Sequence, residues 1–179
     1  MEPELERITK IAILGPESSG KSSLSKELAQ RFNTSYSTEI ARDYLSQRDG
    51  NYRQKELLEI ARLQIREEEK KLKEAKKVLF CDTNLLNILI WSEVKYGTVD
   101  PQLQSLWHPE EFDLSILCYP DLPYEEDDLR ESPELEDRVR LFKLHEEYLK
   151  RSNSKYKVIR GLGEVRIKNA VKIIDHFMG

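Results

Sequence analysis

Short apolar runs alternate along this chain with longer stretches in which apolar residues recur at helical spacing. Lys10-Ile11-Ala12-Ile13-Leu14 stops at Gly15-Pro16, Val78-Leu79-Phe80-Cys81 closes on Asp82, and Leu114-Ser115-Ile116-Leu117-Cys118 ends just before Pro120. Lys157-Val158-Ile159 is a further such run, and a second, weaker strand is expected at residues 35–38. Runs this short and this continuously apolar read as parallel strands buried on both faces. Between them, Leu24, Leu28 and Phe32 mark an amphipathic helix over residues 22–33. Further helices are expected at residues 39–45, 53–77, 85–96, 133–150 and 165–177. The long one carries Leu57, Ala61 and Ile65 on one face, and the fifth has Pro133 in its first turn. Strands alternating with helices predict an α/β fold, a three-layer α-β-α sandwich around a parallel sheet. A single domain over residues 1–179 is expected, with no repeat and no linker. Residues 121–134, rich in proline and acid, follow a strand at the place where functional loops of open sheets gather.

Composition narrows the partners. Hydrophobic residues make up 39% and charged residues 35% of the 179, which fits a compact, strongly solvated globule. The net charge of -4 and the glutamates interleaved with the lysines of residues 70–77 argue against nucleic acid. Residues 1–7 carry acids and no apolar core, and no run of about 18 apolar residues occurs, so neither a targeting segment nor a membrane span is expected and the cytoplasm is the expected location. Cys81 and Cys118 lie inside apolar strands and read as small buried hydrophobes, without the clustered spacing of a zinc site.

Gly15-Pro16-Glu17-Ser18-Ser19-Gly20-Lys21-Ser22 has the spacing of a phosphate-binding loop and stands between the first strand and the first helix. Its glycines let the backbone turn N–H groups inward, Lys21 brings a charge to the β and γ phosphates, and the helix that starts at Ser22-Ser23 adds its positive end. ATP and Mg2+ are the expected cofactors, with Ser22 as a magnesium ligand. Asp82 ends a strand where such proteins present an acid to the metal, directly or through water. Glu39, Arg42 and Asp43 follow the second strand at the same sheet edge. Glu39 stands there either as the base for a hydroxyl proton or as an acid at a helix start capped by Thr38. Arg42 and Asp43 are either substrate contacts or a surface pair. Arg130, within residues 121–134, is a candidate lid arginine that neutralises charge during transfer, with Arg138 and Arg140 close behind it. Trp91, Tyr96 and Trp107 read either as core or as a pocket stacking on a flat ring, which for a cationic ring adds about 0.5–2 kcal/mol.

These blocks, from Ile13 through the loop to Ser22, Glu39 to Tyr44, Phe80 to Thr83, Ile90 to Gly97 and Asp128-Leu129-Arg130, resemble the ribosylnicotinamide kinase domain of the bacterial NadR proteins. The resemblance runs nearly end to end. It implies a P-loop nucleoside kinase fold with a lid, and transfer of the ATP γ-phosphate to the 5′-hydroxyl of nicotinamide riboside. It also implies Lys21 and Ser22 on phosphate and magnesium, Asp82 and Glu39 around the metal and acceptor hydroxyl, Arg130 in the lid and Trp91 against the nicotinamide; which acid is the base stays open, with Asp82 slightly ahead. Two departures stand out. NadR proteins carry a nucleotidylyltransferase domain ahead of the kinase, whereas only residues 1–9 precede the first run here and the three histidines form no HxGH arrangement. The lid reads Asp127-Asp128-Leu129-Arg130 where a glycine before Leu-Arg is expected. A kinase for another nucleoside or small alcohol, or an ATP-dependent switch, are the competing readings, and oligomeric state is not legible. Lys21→Ala is expected to abolish nucleotide turnover while far-UV circular dichroism stays that of the parent.

Overall fold

A computed structural model describes residues 7–48 and 50–179; the first six positions of the acidic N-terminal stretch lie outside the described residues. Five parallel strands form the sheet: β1 (Thr9–Leu14), β2 (Tyr36–Ser37), β3 (Val78–Asp82), β4 (Leu114–Cys118) and β5 (Tyr156–Ile159), in the order β2-β3-β1-β4-β5. Each was expected, four from apolar runs and β2 as a weaker strand at residues 35–38. β1 is central, and its register sets Ile13 against Asp82 of β3 and against Ile116 of β4. The carboxyl ends of all three therefore open at one edge.

Helices cover both faces: α1 (Lys21–Arg31), α2 (Ile40–Ser46), α3 (Glu56–Glu74), α4 (Leu85–Tyr96), α5 (Pro101–Ser105), α6 (Leu135–Arg151) and α7 (Gly163–Met178). Side chains alternate across a strand, so β1 supplies both layers. Ile11 and Ile13 join Leu24, Leu28, Phe80 and Ile174 beneath α1 and α7. Ala12 and Leu14 join Leu86, Ile90, Phe142 and Leu149 beneath α4 and α6. A separate apolar cluster of Tyr44, Leu45, Leu57, Ile60, Leu89 and Leu103 ties α2, α3, α4 and α5 together. Cys81 and Cys118 are free and fully buried, as their strands implied.

Several boundaries differ from the sequence reading, most at α3 and α6. α3 is shorter than residues 53–77, because Ala75 turns to extended backbone, while at the other end the Glu56 carboxylate accepts from Arg53 N at 2.7 Å. α6 begins at Leu135, which leaves Pro133 ahead of the helix instead of in its first turn. α5 and the 3-10 turn Pro109–Glu111 were not expected. α5 starts with Asp100 accepting from Gln102 N at 2.7 Å and Pro101 at the first position, a local start signal that a five-residue helix offers no periodicity to support.

Glu68 of α3 is 5% exposed, and one of its carboxyl oxygens has no hydrogen-bond partner. Lys10 Nζ lies 3.7 Å from the other, yet burial outweighs that charge and pushes the carboxyl up to about 7. The folded chain thus keeps a proton there that the unfolded chain releases near 4.5. Stability falls as pH rises between those values, and the full penalty is present above the upper one. Glu68→Gln should raise stability by on the order of 1–3 kcal/mol at pH 8 and by little near pH 4.5, as read from urea unfolding at both.

Candidate functional site

The segment joining β1 to α1 is wrapped tightly. Gly15 has φ +140, and a Cβ there would lie 2.6 Å from the Cys118 carbonyl oxygen, so β4 passes too close for any side chain. Gly20 takes φ +76 as N-cap of α1 and offers no side-chain cap. The first N–H groups of the helix are consequently left for an anion. Lys21 Nζ and Ser19 Oγ both donate to the Pro16 carbonyl, at 2.8 and 2.7 Å, which holds the loop in its curved form. Asn87 of α4 donates to the Gly15 carbonyl at 3.3 Å, and its Oδ1 lies 3.2 Å from Nε2 of buried His145. From the far side Arg166 of α7 donates to the carbonyls of Ser19, Tyr119 and Gly161 and to the Asp121 carboxylate, all within 3.0 Å.

A cleft of about 900 Å³ opens over this loop, walled by Gly15 to Leu24, Glu39, Arg42, Tyr52, Trp91, Lys95, Arg130 and Arg140 among others. Asp82, at the end of β3 beside Ser22 and Lys21, is 3% exposed and does not itself line the cleft, and its Oδ1 lacks any partner. Burial raises its carboxyl, opposed first by the Ser22 hydroxyl and then by the charges of Lys21 and Arg42. Glu39 is raised by burial too; Lys21, Arg42 and Arg130 pull it down and Asp82 pushes it up. Two acids and three cations therefore share one small volume. Glu39 is the N-cap residue of α2 but its side chain makes no cap bond. Gln64 of α3 does that work, accepting from Ile40 N at 3.0 Å and donating to the Thr38 carbonyl at 3.2 Å. Glu39 is thereby freed to face the cleft, and Thr38 is not the cap.

Residues 121–134, between β4 and α6, lie across the cleft and are pinned from several sides. Arg42 donates to Asp127 at 2.6 Å, an ion pair that lowers the Asp127 carboxyl. Glu17 accepts from Glu131 N and Ser132 N at 3.1 and 3.3 Å, and Ser18 Oγ accepts from Glu125 N at 3.4 Å. Arg130 donates to the Glu125 carbonyl. Arg138 is buried and donates to the Leu122 carbonyl at 3.3 Å, whereas Arg140 lines the cleft. On the opposite wall Trp91 Nε1 donates to the Tyr52 hydroxyl at 2.7 Å, with ring centroids 4.6 Å apart. Lys95 Nζ stands 4.0 Å over the Tyr52 ring and 2.8 Å from the Glu131 carboxylate.

Lys21, Ser22, Ser23, Glu39, Arg42, Trp91 and Arg130 are thus brought together on the cleft wall, with Asp82 buried beside Ser22 and outside that wall. Asp43 and Tyr96 are not. Asp43 is exposed on the far side of α2 and outside the cleft wall, because one residue along a helix turns the side chain about 100°. Tyr96 backs Tyr52 edge to face at 6.5 Å and does not line the cleft. Arg42 and Asp43 form no pair, since Arg42 reaches across to Asp127. Trp107 packs on Tyr148 at 5.7 Å in the core. Sequence reasoning missed Tyr52, Gln64, Asn87, Arg166 and Glu131, each on an element remote in sequence from the group it supports. Among the described residues, no group of three or more His, Cys, Asp or Glu side chains gathers as a metal site, and no helix is long and apolar enough to cross a membrane.

A parallel five-stranded sheet, a phosphate loop between β1 and α1 and an acid at the end of β3 define the P-loop NTPase kinase fold. The chain belongs to the AAA domain family, whose model matches residues 10–166. It is 30% identical over 179 aligned residues to the trifunctional NAD biosynthesis/regulator protein NadR of Salmonella typhimurium, an alignment covering 96% of this chain and 43% of that protein. The crystal structure of a NadR protein in complex with NR superposes with a TM-score of 0.77 at 17% identity, covering 97% of this chain and 51% of the other. A deoxyadenosine kinase from M. mycoides superposes at 0.59 with 20% identity over 94% of this chain and all of that one. The chain thus spans less than half the length of the curated relative, and the resemblance to NadR proteins holds across nearly all of it.

Arg166 satisfies three carbonyls and a carboxylate with one buried cation. Arg166→Ala should lower stability by about 3–5 kcal/mol and weaken nucleotide binding, with urea unfolding and calorimetric titration as the measurements.

Proposed function

We propose that the chain is an ATP-dependent nucleoside kinase acting on the 5′-hydroxyl of nicotinamide riboside, built as one domain with residues 121–134 as its lid. The observation that carries this is the arrangement of the cleft: a phosphate loop at one end, an aromatic wall of Trp91 and Tyr52 at the other, and Glu39 with Arg130 between them. The similarity to NadR proteins supports the choice of acceptor. The residues fit Mg2+ at Ser22 and Asp82. Asp82 keeps an unpartnered Oδ1 and its carboxyl lies beside the Ser22 hydroxyl, and Mg2+ takes few protein ligands when phosphate oxygens and water complete its shell. Bound there, the ion would neutralise charge on the β and γ phosphates.

In this reading the loop N–H groups and Lys21 hold the phosphates while the acceptor ring lies against Trp91. The acceptor oxygen attacks the γ-phosphorus, the bond to the bridging oxygen breaks, and ADP leaves. Glu39 receives the hydroxyl proton. Its position in the cleft wall suits that role better than that of Asp82, which is buried beside Ser22 and outside the wall. Arg130 balances charge as the phosphoryl group moves. Lid residues across the cleft exclude water, so that the acceptor competes with hydrolysis.

Lys95 gives a specific reason to test other acceptors. A cation in the wall beside Tyr52 opposes a cationic ring unless Glu131 stays paired with it, and a neutral nucleoside meets no such opposition. ATP consumption should rise at least about tenfold on adding nicotinamide riboside, with the mononucleotide as product, and Trp91→Ala should raise the riboside KM more than the ATP KM. Turnover with adenosine or thymidine but not the riboside would replace the acceptor, and turnover indifferent to every nucleoside would remove the kinase reading.

A further inference from the structure

Glu131 is the point at which the two ends of the cleft meet. Its backbone N–H donates to both oxygens of Glu17 in the phosphate loop, at 3.1 Å each. Its carboxylate accepts from Lys95 Nζ at 2.8 Å and from the Tyr52 hydroxyl at 3.3 Å, and that same hydroxyl accepts from Trp91 Nε1 at 2.7 Å. An unbroken chain of hydrogen bonds therefore runs from Glu17 through Glu131 and Tyr52 to Trp91. Its charged members make it stronger than a chain of neutral pairs.

The neighbours of Glu131 give the chain a consequence. Leu129 packs into the apolar cluster that includes Tyr52 and Trp91. Arg130 lies between Leu129 and Glu131, so its backbone is anchored to the aromatic wall on both sides while its guanidinium lines the cleft. A ligand that orders the Tyr52–Trp91 wall orders Arg130 with it. Conversely, phosphates seated beside Glu17 act on the Glu131 N–H and are felt at Trp91.

We propose that Glu131 is a positioning residue that couples occupancy of the aromatic wall to the phosphate loop and sets Arg130 over the cleft. This rests on the reading above for which ligand occupies which end. It goes beyond that reading in assigning the coupling to one side chain that touches neither the phosphates nor the reacting hydroxyl. By reciprocity, whatever nucleotide does to the wall, a wall ligand does to nucleotide affinity.

Trp91 reports the coupling without any acceptor. In a Trp107→Phe background it is the only remaining tryptophan of the two. Saturation with the magnesium salt of a non-hydrolysable ATP analogue should change its emission. Glu131→Ala in that background should cut the change by about fivefold or more while calorimetry still shows the analogue binding. Glu131→Gln, which keeps an acceptor for Tyr52, should restore part of it. Tyr52→Phe, which removes the hydroxyl that joins Glu131 to Trp91, tests the same chain if Glu131→Ala does not fold. In turnover with the accepted nucleoside, Glu131→Ala should lower kcat, raise acceptor KM at saturating ATP and raise ATP KM at saturating acceptor, and should raise the ATP hydrolysed per nucleoside phosphorylated. An emission response equal in parent and Glu131→Ala, or none in the parent, overturns the coupling. A protein that phosphorylates no nucleoside overturns the kinase reading instead, and the emission result still decides on Glu131.

Discussion

The hydrogen-bonded register of β1 between β3 and β4 is the constraint on which the rest depends. Ile13 sits opposite both Asp82 and Ile116, so the chain leaves β1 at Gly15 directly beside the acid that ends β3 and against the Cys118 carbonyl of β4. Parallel pairing fixes this because all strands point the same way, and a slip of one residue would turn every buried side chain to the opposite layer. With Ile11 and Ile13 committed to one layer and Ala12 and Leu14 to the other, no slip is tolerated. The loop and the acid are held together by the core, not by each other.

Charge then organises the cleft that the register opens. Lys21, Arg42 and Arg130 face Glu39 and Asp82 where burial raises both acids and the cations only partly restore them. Such a balance suits a visitor that is itself strongly anionic, because it adds the negative charge that three cations can meet. The same logic explains the crossing segment. Its own acids, Asp127 and Glu131, are held by Arg42 and Lys95 from opposite walls, and its backbone N–H groups are taken by Glu17. An acid-rich loop over a phosphate site would otherwise repel the ligand it covers.

The local chemistry was readable because it is written in contiguous residues. The phosphate loop, the end of β3 that carries Asp82, the start of α2 that carries Glu39 and the crossing segment that carries Arg130 each occupy one short stretch of sequence. The strands were legible for the same reason, and the parallel α/β sandwich with them. Helix ends were less so, since Ala75 and Pro133 obey local backbone preferences that periodicity does not register.

By itself, then, the sequence determined a phosphate-binding loop in a parallel α/β fold and the acids and arginine that share its sheet edge. Tertiary structure alone decided which neighbours face the cleft. Arg42 turns inward and Asp43 away, and Gln64 from α3 caps α2 so that Glu39 is free. Arg166, 145 residues after Lys21, braces the loop that Lys21 closes. Tyr52 and Glu131, distant in sequence, are joined only when the crossing segment lies down. The physical reason is that strand and loop propensities act over a few residues, whereas the direction of a side chain and the partner of a buried charge depend on packing between elements that the chain brings together only once folded.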